Sequence, residues 1–115
     1  MLCLLEFRVK VFVLGGDGFC GWPCAVNLAD KGHDVFIVDN LSRRKIDIDL
    51  EVESLTPITS IGERIKAWSE IGGKPIQFIH LDLASEYQKL LDLLIEEKPD
   101  SIIHFAEQRA APYSM

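Results

Sequence analysis

The segment Gly15-Gly16-Asp17-Gly18-Phe19-Cys20-Gly21 constrains this chain more than any other. It follows an apolar run, Arg8 to Leu14 (RVKVFVL), whose β-branched residues and abrupt end at glycine read as a buried strand. Beyond it, Phe19 to Lys31 reads as a helix with Trp22, Val26 and Ala29 on one face. Pro23 stands near the helix start, where its missing N–H matters least, and Gly32 just past the end. A G-x-x-G-x-x-G loop between strand and helix has a physical use. Gly15 permits the tight turn, Gly18 removes a side chain so that a pyrophosphate can approach the backbone, and Gly21 lets helix and strand lie close. The phosphates then meet free N–H groups at the positive end of the helix dipole.

A glycine-rich turn can also be only a turn, so the next acidic residue decides. Asp39 ends the following apolar run, 18 residues after Gly21, where a carboxylate can accept hydrogen bonds from both adenosine ribose hydroxyls. The combination reads as a dinucleotide site, with NAD as the cofactor. The Asp39 charge would repel the 2′-phosphate of NADP. Arg43 and Arg44 pull the other way, since an arginine near this place can hold that phosphate. The carboxylate's closer position at the strand end favours NAD.

The rest of the chain continues the alternation. Asp34 to Asp39, Ile76 to His80 and Ser101 to Phe105 read as strands. Ser85 and Gln88 suggest a capping box for a helix carrying Tyr87, Leu90, Leu91, Leu94 and Ile95, which Pro99 stops. The stretch between Asn40 and Pro75 is long for a crossover. Its first part is polar and reads as loop. Its second part has Ser60 and Glu63 as a capping box, then Ile61, Ile65, Trp68 and Ile71 at helical spacing, and Gly72-Gly73 as a stop. Trp68 reads as a core anchor. The expected fold class is α/β, a Rossmann-type doubly wound parallel sheet in strand order 3-2-1-4 with helices on both faces.

Composition excludes several classes. With 48% hydrophobic and 26% charged residues the chain is not compositionally disordered. The net charge of −6 is spread evenly over both halves, leaving no basic stripe for nucleic acid. The N-terminal apolar stretch, Met1 to Leu5, is too short for a membrane span or a signal segment, so no membrane partner and a cytoplasmic setting are expected. Cys20 and Cys24 lie four apart without the further ligands a zinc set needs, and read as packing residues rather than a metal site.

GGDGFCG, DNLSRR, Leu81-Asp82-Leu83 and HFAE resemble the extended short-chain dehydrogenase/reductase superfamily, the NAD-dependent sugar-nucleotide epimerases and dehydratases. More narrowly, GGDGFCGWP, VDNLSRRKID, ESLTPI and HFAEQRAAPYSM are similar to the UDP-sulfoquinovose synthase family, from about Val9 to Met115. The resemblance implies that Asp17, Gly18, Phe19 and Cys20 line the pyrophosphate and nicotinamide side of NAD. Asp39, Asn40 and Arg43 would hold the adenosine ribose and its surroundings, and Asp82 and Leu83 would bracket the adenine. Phe105 and Ala106 would lie beneath the cofactor. Gln108 and Arg109 would face the sugar nucleotide or sulfite. The partners implied are UDP-glucose and sulfite, converted to UDP-sulfoquinovose by a complete enzyme that is a homodimer.

Plainer readings stand beside these. Asp82 can serve only to solvate a loop, His104 to fill a strand's apolar interior, and Glu107 as a surface charge. The family's Tyr-x-x-x-Lys acid–base pair is missing: Tyr87 is followed four residues later by Leu91, and Tyr113 by only two residues. No catalytic residue is therefore assigned. Residues 1–115 are expected to be the N-terminal part of an NAD-binding Rossmann domain, with a loop-helix insertion at about 41–75. The remaining strands and the sugar-nucleotide domain would be absent, leaving Ser101 to Phe105 as an open apolar edge and the chain inactive by itself. The alternatives are a fragment of a UDP-glucose 4-epimerase or dehydratase, and a short protein that binds a dinucleotide without chemistry.

Overall fold

The computed structural model describes residues 7–107. Its elements run β1 (Lys10–Leu14), α1 (Gly21–Asp30), β2 (Asp34–Asp39), α2 (Ser42–Asp49), α3 (Ile61–Glu70), β3 (Ile76–His80), α4 (Tyr87–Glu97) and β4 (Ser101–His104). The strands form one parallel sheet in the order β3-β2-β1-β4, as the alternation implies. Val11 faces Val35 across β1–β2 and Ser101 across β1–β4, and Val35 faces Ile76 across β2–β3.

Strand periodicity divides the core in two. Val11, Val13, Val35 and Ile37 point to one face, where Ala25 and Ala29 of α1 and Ile61 of α3 meet them. Phe12, Leu14, Phe36 and Val38 point to the other, against Leu90, Leu93 and Leu94 of α4. The Phe12 and Phe36 rings stack with centroids 5.1 Å apart. Small residues carry α1 onto the sheet, and Trp22 and Val26 pack at the margin of that contact. Trp68 likewise packs on this cluster, and its indole N–H donates to the Lys74 carbonyl at 2.7 Å.

Several local expectations need correcting. The polar stretch read as loop contains α2, which buries none of its residues and so has no apolar stripe to betray it. Asn40 Oδ1 accepts from the Ser42 N–H at 2.9 Å just ahead of that helix, whose capping residue is Leu41. At α4 the capping box of Ser85 and Gln88 does not form, because the Ser85 N–H turns to Asp82 and Gln88 reaches forward to Asp92. Of the apolar residues that α4 carries, Tyr87 and Ile95 are exposed. The capping box of Ser60 and Glu63 does form at α3. β1 begins at Lys10 rather than Arg8 and α1 at Gly21 rather than Phe19, while β4 ends at His104. Phe105 still donates its N–H to the Leu14 carbonyl.

Candidate functional site

All four strands point their C-terminal ends at one cleft of about 560 Å³, the place where open α/β sheets bind ligands. Gly15, Asp17 and Gly18 follow β1, Asp39 ends β2, and Asn40 and Arg43 come after it. Leu81, Asp82, Leu83 and Ala84 follow β3, and Phe105, Ala106 and Glu107 follow β4. The chain steps outward from β1 through β2 to β3 and then crosses to the other side of β1 at β4, so the glycine loop lies at the switch point between β1 and β4.

The loop's shape depends on Gly15 and Gly21, while Gly16 leaves room for the Ile37 side chain, which would stand 2.5 Å from a Cβ there. Gly15 has φ +85°, and a Cβ there would stand 2.7 Å from the Phe105 carbonyl carbon. Its N–H donates to the Val38 carbonyl at 2.8 Å, which ties the loop to β2. At Gly21 a Cβ would collide with the Gly15 carbonyl, so α1 can begin beneath the loop only with glycine there. Gly21 is thus buried under the turn and not on the cleft wall.

Asp39 is held by the backbone on both oxygens. Its Oδ1 accepts from the Leu41 N–H at 2.7 Å and its Oδ2 from the Asp17 N–H at 3.0 Å. A carboxylate offers about four lone-pair positions, so acceptor capacity is left over for ribose hydroxyls. Asp82 sits opposite, on the third strand's loop. Its Oδ1 accepts from the Ala84 N–H at 2.9 Å and the Ser85 N–H at 3.4 Å, and these bonds, Ala84 first, hold its carboxyl below the usual aspartate value. Asp82 therefore closes a loop and lines the cleft together. Leu83 joins the apolar cluster around Phe12 while its edge lines the cleft.

Asp17 behaves differently from a phosphate neighbour. Its side chain is only 4% exposed and is clamped by two arginines: Arg44 Nε stands 3.0 Å from Oδ2, and Arg64 Nη2 bonds Oδ1. Arg64 came from no sequence motif, and Arg44 was read only as a phosphate ligand. The one available cue was that a loop aspartate tucked behind a glycine turn needs cations to balance it.

The remaining assigned residues divide. Phe19 is 84% exposed and Cys20 is exposed, and neither lines the cleft. Cys20 is thus not the packing residue expected; as the residue preceding α1 it points outward, whereas Cys24 is half-buried. His104 was read as a core residue, but its side chain is 47% exposed on the edge strand, with Nε2 3.0 Å from Glu107 Oε1. Gln108 and Arg109 lie outside the described residues. A second hollow, lined by Trp22, Pro23, Val26 and Trp68, opens between α1 and α3 away from the strand ends. Among the described residues no helix is long and apolar enough to cross a membrane.

The model of the NAD dependent epimerase/dehydratase family matches residues 11–115. The chain is 47% identical to the chloroplastic UDP-sulfoquinovose synthase of Spinacia oleracea over 108 residues, 94% of this chain and 22% of that protein. It is 41% identical to the UDP-sulfoquinovose synthase of Sulfolobus acidocaldarius, over 93% of this chain and 27% of that one. The chain thus spans about a quarter of the length of these curated relatives. A UDP-glucose 4-epimerase of Klebsiella pneumoniae is 32% identical over 93% of this chain and 65% of that protein. Among solved structures, a UDP-glucose-4-epimerase from Stenotrophomonas maltophila with bound NAD and formylated UDP-arabinopyranose superposes with a TM-score of 0.63. That pair shares 26% identity over 92% of this chain and 26% of the other.

Proposed function

Because this chain belongs to the NAD dependent epimerase/dehydratase family, we propose that it is the NAD-binding portion of an enzyme that makes UDP-sulfoquinovose from UDP-glucose and sulfite. The observation that carries the cofactor assignment is Asp39, fixed by two backbone N–H groups at the mouth of the cleft beside the glycine loop. NAD bound there would supply a reversible hydride acceptor for the sugar. The chain's own residues would do the holding. Gly15 and Gly18 let the pyrophosphate reach the backbone, Asp39 accepts from the adenosine ribose with Asn40 and Arg43 beside it, and Asp82 and Leu83 flank the adenine. Phe105 and Ala106 would floor the cofactor, with Gln108 and Arg109 toward the sugar nucleotide or sulfite. The acid–base pair would come from elsewhere, since no lysine stands four residues after Tyr87. Similarity to two UDP-sulfoquinovose synthases supports the substrate pair. A homodimeric whole enzyme in a cytoplasmic setting belongs to the same reading.

The epimerase relatives favour a second reading, interconversion of UDP-glucose and its 4-epimer on the same cofactor site. A chimera separates the two. This chain replaces the matching segment of the spinach synthase, and the purified chimera receives UDP-glucose with and without sulfite. Sulfite-dependent UDP-sulfoquinovose supports the first reading. A sulfite-independent 4-epimer as sole product supports the second, and a folded chimera that retains no NAD contradicts both.

A further inference from the structure

We propose that Asp17 is a specificity-determining residue for the dinucleotide: by binding Arg44 and Arg64 it withholds two guanidinium groups from the 2′ position of the adenosine ribose. The inference rests on the cleft taking a dinucleotide and goes beyond it, since the discrimination against NADP is assigned to a residue other than Asp39. Asp17 follows the loop's second glycine, and its carboxylate is out of water. A buried carboxylate is tolerated when it is paired and hydrogen-bonded. Here both oxygens are taken by cations from the two helices of the 40–75 stretch.

The pairing is more than a single contact on each side. Arg44 places Nε 3.0 Å from Asp17 Oδ2 and donates from Nη2 to the Asp17 carbonyl at 3.1 Å. Arg64 bonds Oδ1 through Nη2, donates from Nε to the Thr59 carbonyl at 3.1 Å, and lies over the Trp22 ring at 5.0 Å. These contacts engage donors on both guanidinium groups and fix their planes. The Asp17 N–H meanwhile donates to Asp39 Oδ2 at 3.0 Å. Asp17 thus links the two arginines to the carboxylate that would meet the ribose. Released, they would offset the Asp39 charge and offer the group that binds a 2′-phosphate elsewhere in such folds. Arg43 on the cleft wall is one cation against Asp39; with Arg44 and Arg64 free there would be three.

The test uses fluorescence titrations of the purified protein with NADH and NADPH. The wild type is expected to prefer NADH. Asp17→Asn should reduce that preference at least tenfold through tighter NADPH binding, and adding Arg44→Gln and Arg64→Gln should abolish the gain. An Asp17→Asn protein that folds and keeps the wild-type preference overturns the proposal. A wild type that binds neither nucleotide defeats the dinucleotide reading itself. If Asp17→Asn does not fold, Arg44→Gln alone gives the answer. A withheld arginine predicts unchanged NADPH affinity in that variant, within twofold, and a clear loss of NADPH affinity overturns the proposal.

Discussion

Two stretches meet at the cleft, Lys10–Asp39 and Asn40–Pro75, and they are held in place by different forces. In the first, Val11 to Leu14 and Val35 to Val38 are all buried, and α1 seats Ala25 and Ala29 on the sheet. In the second, α2 buries nothing and α3 only Ile61. Yet the second stretch supplies Arg43 to the cleft and both partners of Asp17. Apolar patterning builds the platform, while the lightly anchored segment brings charges to it. The first should therefore fail by unfolding and the second by altered recognition.

The sharpest break of that contrast is a matched pair of truncations. Ile37 is fully buried in β2, so Ile37→Ala should cost about 4 kcal/mol, within the range for large-to-small core changes. Ile48 in α2 is 74% exposed, and Ile48→Ala should stay within about 0.5 kcal/mol. Urea unfolding midpoints at constant m-value give both numbers. Equal losses would mean that α2 is packed as firmly as the sheet. Next in size is Gly21→Ala, at about 3 kcal/mol for forcing a methyl into a closed contact. The added Cβ meets the Gly15 carbonyl and comes within 2.8 Å of the Gly16 Cα. Thermal melts of this variant should show the loss; an unchanged melt would show that the loop can shift aside.

The smallest effect concerns a tie between the stretches. Lys74 Nζ lies 2.8 Å from Asp34 Oδ1 and donates to the Gly32 carbonyl at 2.8 Å. Its hydrogen bond, more than any other charge nearby, holds the Asp34 carboxyl below the ordinary aspartate value. Since the folded value is lowered, the linked stability is full above the unfolded value and is lost as pH falls through the folded one, below about pH 4. Lys74→Ala should raise the Asp34 value toward normal in a carboxyl carbon-13 NMR titration and flatten that part of the acid-unfolding curve. An unmoved Asp34 would assign the shift to another neighbour.

What the sequence disclosed follows the same division. β-Branched runs, glycine punctuation and the spacing to Asp39 made the sheet order and the cleft's glycine and aspartate legible, because those residues obey local rules with one outcome. α2 was hidden because a helix that buries nothing carries no apolar period. The clamp on Asp17 was hidden because Arg44 and Arg64 are brought to it from 27 and 47 residues away by tertiary contact alone. His104 misled because an apolar strand suggests a covered one, and β4 is covered on its β1 side only among the described strands.

The central claim, that the cleft at the strand ends is the nucleotide site, is tested most directly by amide chemical-shift mapping with NAD. Titrating NAD into isotopically labelled protein should move the resonances of Gly15, Gly18, Asp39, Asn40, Leu83 and Ala106 together, with one common dissociation constant. Trp22, Val26 and Trp68 at the second hollow should stay still. No movement at saturating NAD, or movement confined to Trp22 and Trp68, would contradict the account.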